Sequence, residues 1–206
     1  AYSKGYELMI VHTLFPSTVC FFDLGRDLTK KEMAFIMNQK QKPNEGNTTS
    51  ANNTLLKSKT LEKLNKFIMD CFNTYAENVL RIKDNVSLDV TQSWANFTKK
   101  GQYHHKHNHS NSVLSGVFYV KADETMDKIM FFKEGYDQIK LEPKDYNVHN
   151  SDSWFFNVKS NQFAVFPSSL THMVPATETE ERVSISCNTF PKGMLGDSSK
   201  LTGLQL

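Results

Sequence analysis

The apolar positions of this chain change period near residue 85. From about residue 60 to 81 they recur at three- and four-residue spacing: Leu61, Leu64, Ile68, Cys71, Phe72, Tyr75 and Val79. That is one face of an amphipathic helix, and the stripe predicts packing against the body of the protein. From Asn85 onward the period is two, with Val86, Leu88 and Val90 alternating with polar residues. Strand-like runs follow at 90–98, 113–121, 127–133, 137–142, 154–158, 162–167 and 181–190. Turn-like pieces separate them, such as Lys99-Lys100-Gly101 and Lys159-Ser160-Asn161. Many short strands with frequent turn signals predict a β-sandwich or barrel.

The first third reads differently. Residues 8–23 are apolar and β-branched with Phe15-Pro16 in the middle, which predicts two short strands broken at the proline. Thr29 to Gln39 reads as a helix capped by Asp27 or Thr29. Residues 40–57 (QKPNEGNTTSANNTLLKS) read as a polar loop. The expected organisation is one domain: helical support over 1–84, a β core over 85–192 and a tail over 193–206. The helices would cover one face of the sheet.

Composition narrows the classes. A chain of 206 residues can bury one sizeable core, and fifteen Phe, seven Tyr and two Trp suit a β-rich one. A net charge of +2, mixed along the chain, points to neither nucleic acid nor an acidic surface as the main partner. Three widely spaced cysteines, Cys20, Cys71 and Cys187, argue against a disulfide framework and for a reducing cytoplasm. In that setting the Asn-x-Ser/Thr triplets at Asn47, Asn85 and Asn96 are chance matches. No apolar run is long enough to span a bilayer and no signal-peptide pattern is present. The start at Ala1 fits processing or trimming.

Candidate chemistry concentrates between Gly101 and Val120, GQYHHKHNHSNSVLSGVFYV. Four of the seven histidines lie there: His104, His105, His107 and His109. In a strand, His105, His107 and His109 would share one face and His104 the other. Two imidazoles at i and i+2 can converge on one metal, and imidazole suits Fe, Zn, Cu or Ni. His172 is a candidate third ligand, in the turn after the strand-like run Phe163–Pro167. Beyond it, Arg182, Ser184 and Ser186 share one face of the last strand, with Val183, Ile185 and Cys187 on the other. An arginine heading a row of small polar residues inside a barrel would bind an anion, because its fork of donors matches a carboxylate. Each piece also has a plainer explanation: a polar histidine-rich loop, a surface ion pair for Arg182, a hydrogen-bonding role for His172. His12 and His149 have no supporting context and read as structural. The ordered set, His-x-His, apolar strand, distant His, then Arg, favours function.

On these residues the sequence resembles the 2-oxoglutarate- and Fe(II)-dependent oxygenases, in particular a prolyl-hydroxylase-like group from phage and marine bacteria. The resemblance rests on Leu14-Phe15-Pro16-Ser17-Thr18-Val19, Trp94-Ala95-Asn96, and His107-Asn108-His109 followed by Leu114–Val120. It continues in Phe166-Pro167-Ser168-Ser169-Leu170-Thr171-His172 and Arg182–Asn188. It implies a double-stranded β-helix, a jelly-roll or cupin-like barrel, with iron at its open end. It implies that His107 and His172 bind Fe(II). It implies that Arg182, with Ser184 and Tyr119, holds the distal carboxylate of 2-oxoglutarate, and that Asn96 and Ser115 line the pocket. The implied activity is a dioxygenase that uses O2 and 2-oxoglutarate, releases succinate and CO2, and hydroxylates a peptide (prolyl-type) or a small molecule. If the protein is phage-encoded, the implied location is the host cytoplasm. The polar loops at 40–57 and 134–153 are candidate lids.

One departure from the superfamily pattern matters. The second position of the motif is His109 where the superfamily carries Asp or Glu. Either His109 is a true third ligand, which its spacing from His107 favours, or water fills that position. Three other readings compete. A cupin with three histidines shares the Gly-x5-His-x-His spacing at Gly101, His107 and His109. It lacks the following Glu, because Val113 and Leu114 stand there, and Ser169 replaces the glycine of its second motif. A three-histidine zinc hydrolase, or a non-catalytic metal-binding barrel, would leave Arg182 unexplained.

Overall fold

The computed structural model describes residues 10–135, 139 and 141–206. Two sheets face one another. Twelve strands enter them: β1 Cys20–Asp23, β2 Gln41–Asn44, β3 Asn47–Ser50, β4 Val86–Lys99, β5 His104–His107, β6 Leu114–Lys121, β7 Lys128–Phe132, β8 Ser153–Asn157, β9 Gln162–Pro167, β10 His172–Val174, β11 Glu181–Leu195 and β12 Leu204–Gln205. The larger sheet runs β1-β9-β6-β11-β4-β3-β2, with β12 on β11. The smaller runs β5-β10-β7-β8. All named pairings are antiparallel.

Strand alternation separates two cores. On the larger sheet Phe118, Phe163, Val165, Val183, Ile185 and Cys187 face outward into a cluster with the helices. Their neighbours Val117, Tyr119, Ala164 and Phe166 face inward and meet Ile129 and Phe131 of the smaller sheet. Both faces are covered, so these strands read as long apolar runs rather than clean alternation. The outer cover is α2, Glu62–Tyr75, whose Leu64, Ile68, Cys71, Phe72 and Tyr75 are buried as the periodicity predicts. Phe72 meets Phe163 edge to face with ring centroids 5.4 Å apart. Gly116 makes this approach possible: a Cβ there would stand 2.2 Å from Phe163 Cζ. The stripe ends before Val79, which is 38% exposed. The last turn widens, and Arg81 closes it in the left-handed conformation.

α1, Lys30–Met37, is capped by Thr29, one of the two expected caps. Its side chain accepts from the Glu32 amide, and the Glu32 carboxylate returns to the Thr29 amide. Arg26 also grips Glu32 at 2.8 Å, and this contact holds the Glu32 carboxyl low, at about 2.

Three expectations need correction. Residues 40–57 are not a loop: they hold the hairpin β2–β3, which extends the larger sheet beyond β4. Several polar side chains there find partners, for example Asn47 to Thr98 at 3.1 Å and Ser50 from the Ala95 amide at 3.0 Å, so hydrogen bonding replaces apolar burial as the strand signal. Of the two strands expected over 8–23, whose residues 8 and 9 lie outside the described residues, β1 forms. Residues 10–19 carry no strand, and Phe15 has a positive φ of 56°. The first third is therefore not purely helical, since β1, β2 and β3 all belong to the larger sheet. The strand expected at 137–142 falls partly outside the described residues, and 141–142 form none. Among the described residues no helix is long and apolar enough to cross a membrane.

Candidate metal and anion site

The inner mouth of the two sheets gathers the residues singled out above. β5 ends at His107, which pairs in register with His172, the first residue of β10. His172 is thus on a strand, not in the expected turn. His109 lies two residues past β5, and its backbone N–H donates to the Ser168 carbonyl at 2.9 Å, which ties the chain after β5 to the turn before β10. Ring centroids are 4.4 Å apart for His107 and His172, 5.0 Å for His107 and His109, and 5.2 Å for His109 and His172. One ring nitrogen from each of the three lies within 4.8 Å of the others, so the trio can hold a metal ion.

Hydrogen bonds aim two of these rings. His107 Nδ1 donates to the His105 carbonyl at 2.7 Å, and His172 Nδ1 donates to the Leu170 carbonyl at 3.0 Å. Each bond fixes the proton on Nδ1 and leaves the Nε2 lone pair free, the tautomer a metal requires. Burial, then neighbouring imidazoles, holds His109 down to about 4; burial and the same neighbours hold His172 to about 3, and His107 is lowered mainly by burial. All three are neutral near pH 7, the form that ligates.

His104 corrects the simple strand picture. The pairing of β5 with β10 slips by one residue between His172 and Val174, a bulge that turns His104 to the same side as His107. The two rings stack, 4.7 Å apart and 18° from parallel. His104 therefore lines the central cavity, with burial holding it at about 3. His104, His105 and His107 form a second group of close ring nitrogens. His107 offers only one free nitrogen, so it can serve only one group at a time.

The same cavity, about 20 Å³, continues from His107 and His172 to Asn96, Arg182, Ser184 and Ser186. Arg182, Ser184 and Ser186 share the inward face of β11, as their alternation requires. Ser184 stands opposite Asn96 on one neighbouring strand and Tyr119 on the other. Asn96 donates to Ser186 at 2.9 Å and accepts from Trp94 at 3.2 Å. Arg182 is 2% exposed and Tyr119 fully buried, with the guanidinium carbon 5.2 Å from the Tyr119 ring centroid. Among the described residues, Arg182 Nε and the Tyr119 hydroxyl have no hydrogen-bond partner of good geometry. Burial raises the Tyr119 hydroxyl to about 12 and the nearby Arg182 charge opposes it, so the phenol is a neutral donor. A buried cation and a buried hydroxyl with unfilled donors suit an anion. Ser115, expected to line the pocket, does not. Its hydroxyl bonds Ser168 at 2.8 Å and Asn188 at 2.9 Å beneath His109. Ser186, His104 and Asn188 were not singled out as site residues; the parity of Ser186 and Asn188 with Arg182 was the available signal.

Residues 92–188, just under half the chain, match the model of a family described as "Putative 2OG-Fe(II) oxygenase". The match spans Asn96, every histidine of the cluster, Arg182 and Asn188. That stretch is similar to the 2-oxoglutarate/Fe(II)-dependent oxygenases. Solved structures agree on the fold, the double-stranded β-helix. HygX from Streptomyces hygroscopicus, with nickel, 2-oxoglutarate and hygromycin B bound, superposes with a TM-score of 0.57 at 9% identity, covering 84% of this chain and 83% of its own. A Pseudomonas putida prolyl-4-hydroxylase gives 0.52 at 11% identity, covering 84% and 92%. A Trichoplax adhaerens prolyl hydroxylase with a hypoxia-inducible-factor peptide gives 0.51 at 11%, covering 84% and 83%. No curated protein matches the chain. That family works with Fe(II), 2-oxoglutarate and O2, and the neutral histidines of this chain are a donor set that suits iron.

Proposed function

We propose that the protein is a dioxygenase that hydroxylates a peptide, of prolyl type, or a small molecule, with release of succinate and CO2. One observation carries this reading. His107 and His172 on the smaller sheet, whose ring nitrogens converge with that of His109, face Arg182 and Ser184 on the larger sheet across one cavity, with Tyr119 buried beside Arg182. His107, His109 and His172 would hold Fe(II). Arg182 would take the distal carboxylate of 2-oxoglutarate, with the Tyr119 hydroxyl and Ser184 as further donors and Asn96 shaping the side wall. The bound iron and co-substrate supply the oxidising chemistry. The chain's own residues orient the dianion and exclude water. Three neutral ligands leave both positive charges of the metal uncompensated, so the co-substrate's negative charges complete the balance that a ligand carboxylate would otherwise begin. The buried Arg182, whose Nε has no partner among the described residues, favours this reading over a cupin or a zinc hydrolase, neither of which needs an anion clamp. Relatives of the fold bind a peptide in one case and an aminoglycoside in another, which supports both substrate classes.

Anaerobic addition of Fe(II), then 2-oxoglutarate, to metal-free protein tests the site. A weak visible charge-transfer band that needs both additions and is lost in Arg182→Ala is the expected result. Iron binding without the band would refute the co-substrate site.

A further inference from the structure

Two of the three candidate ligands are aimed by backbone carbonyls. His109 is not. Its Nδ1 faces the side chain of Asn188, with the amide nitrogen 3.4 Å away. Asn188 is the fourth member of the inward row that begins at Arg182. The β4–β11 pairing slips by one residue directly after it, and such a bulge re-aims side chains beside a site. Behind Asn188 runs a line of buried hydroxyls. Ser115 Oγ is 2.9 Å from Asn188 Oδ1, Ser168 Oγ is 2.8 Å from Ser115 Oγ, and Ser112 Oγ is 2.6 Å from Ser168 Oγ. Ser112 also accepts from the Thr189 amide at 3.2 Å and reaches the Leu114 carbonyl at 3.1 Å. Ser168 is fully buried, Ser115 is 2% exposed and Asn188 7%, so water does not compete at these three; Ser112, at the end of the line, is half-buried.

A hydroxyl both donates and accepts, so the line can run in either direction. In one sense Ser112 donates to Ser168, Ser168 to Ser115, and Ser115 to Asn188, whose NH2 then donates to His109 Nδ1. His109 must then carry its proton on Nε2, which blocks ligation there. In the other sense the Asn188 amide is turned end for end. His109 Nδ1–H donates to Asn188 Oδ1, the Asn188 NH2 donates to Ser115, Ser115 to Ser168, Ser168 to Ser112, and Ser112 to the Leu114 carbonyl. Each link in the line joins one donor to one acceptor, no proton is gained or lost, and Nε2 presents its lone pair.

We propose that Asn188 is a positioning residue for the third histidine: through Ser115, Ser168 and Ser112 it selects the His109 tautomer that can ligate a metal. This rests on the reading of His109 as a ligand. It supplies what the two backbone carbonyls supply to His107 and His172, and it does so with a group that can reverse.

The test compares Asn188→Leu and Asn188→Asp in the full chain, with folding of both checked by thermal melting. Aspartate only accepts, so it can take both His109 Nδ1–H and the Ser115 hydroxyl and lock the ligating tautomer. Leucine fills similar space and accepts nothing. Co(II) titration under nitrogen should show the Asp variant binding at least as tightly as the parent, and the Leu variant about 10- to 100-fold more weakly. Long-range 1H–15N NMR of the metal-free proteins should show His109 protonated on Nδ1 in the Asp variant and on Nε2 in the Leu variant. Equal affinities in all three proteins, or equal weakening in both variants, would overturn the proposal, the latter by showing a packing role alone. If the parent binds no Co(II), the metal reading of the site fails. The tautomer measurement still decides the proposal, which falls if the two variants share one tautomer.

Discussion

Replacing Tyr119 by Phe should move two observables in opposite directions. The ring is fully buried between the sheets and stays in place in the variant. The hydroxyl alone is removed. Among the described residues it has no hydrogen bond of good geometry, Arg182 standing close enough only to oppose the rise of its pKa, and it is neutral because burial pushes that pKa up to about 12. Leaving a buried hydroxyl unsatisfied costs about 1–3 kcal/mol, so its removal should stabilise the metal-free protein by an amount at the lower end of that range. For a domain of this size about 1 kcal/mol is about 2–4 °C, so Tm should rise by a few degrees. In the complex the same hydroxyl would donate to a carboxylate, a bond worth about 1.5–3 kcal/mol. 2-Oxoglutarate should then bind about 10- to 100-fold more weakly to the metal-loaded variant. Differential scanning calorimetry reads the first effect and isothermal titration the second. A variant that melts lower and binds 2-oxoglutarate as tightly as the parent would refute the reasoning, because it would place the hydroxyl in a structural bond rather than at the anion.

The metal-free protein should lose stability on acidification. His104, His109 and His172 are depressed to about 3, 4 and 3 from an ordinary value of 6.5. The unfolded chain therefore takes up protons first, and stability that is full above about pH 6.5 falls steadily towards pH 4, by up to about 1.4 kcal/mol per pH unit per histidine. Urea melts across that range should show it, and a flat profile would argue against the buried cluster. Gly116→Ala should cost several degrees in Tm, because its Cβ would stand 2.2 Å from Phe163 Cζ; Phe163→Leu in the same chain should recover part of the loss, and no recovery would place the strain elsewhere. Thr29→Ala removes the cap that accepts from the Glu32 amide and should cost about 1 kcal/mol by chemical denaturation, with no change in metal affinity.

The sequence by itself determined a good deal. The helical stripe of α2 and the inward row Arg182, Ser184, Ser186 follow from local periodicity, which the backbone dictates whatever surrounds it. His107, His109 and His172 were legible as a set because their residue types are few and their order is distinctive. Tertiary structure decided the rest. The β2–β3 hairpin was hidden because its signal is hydrogen bonding to β4, not apolar alternation. His104 sits on the unexpected side because a bulge against β10 shifts its register, and a bulge depends on two strands at once. Ser115 left the pocket for the hydroxyl line beneath His109, whose members come from β6, β11 and the turns beside them. No local pattern could join residues 112, 115, 168 and 188, because only the pairing of distant strands makes them neighbours.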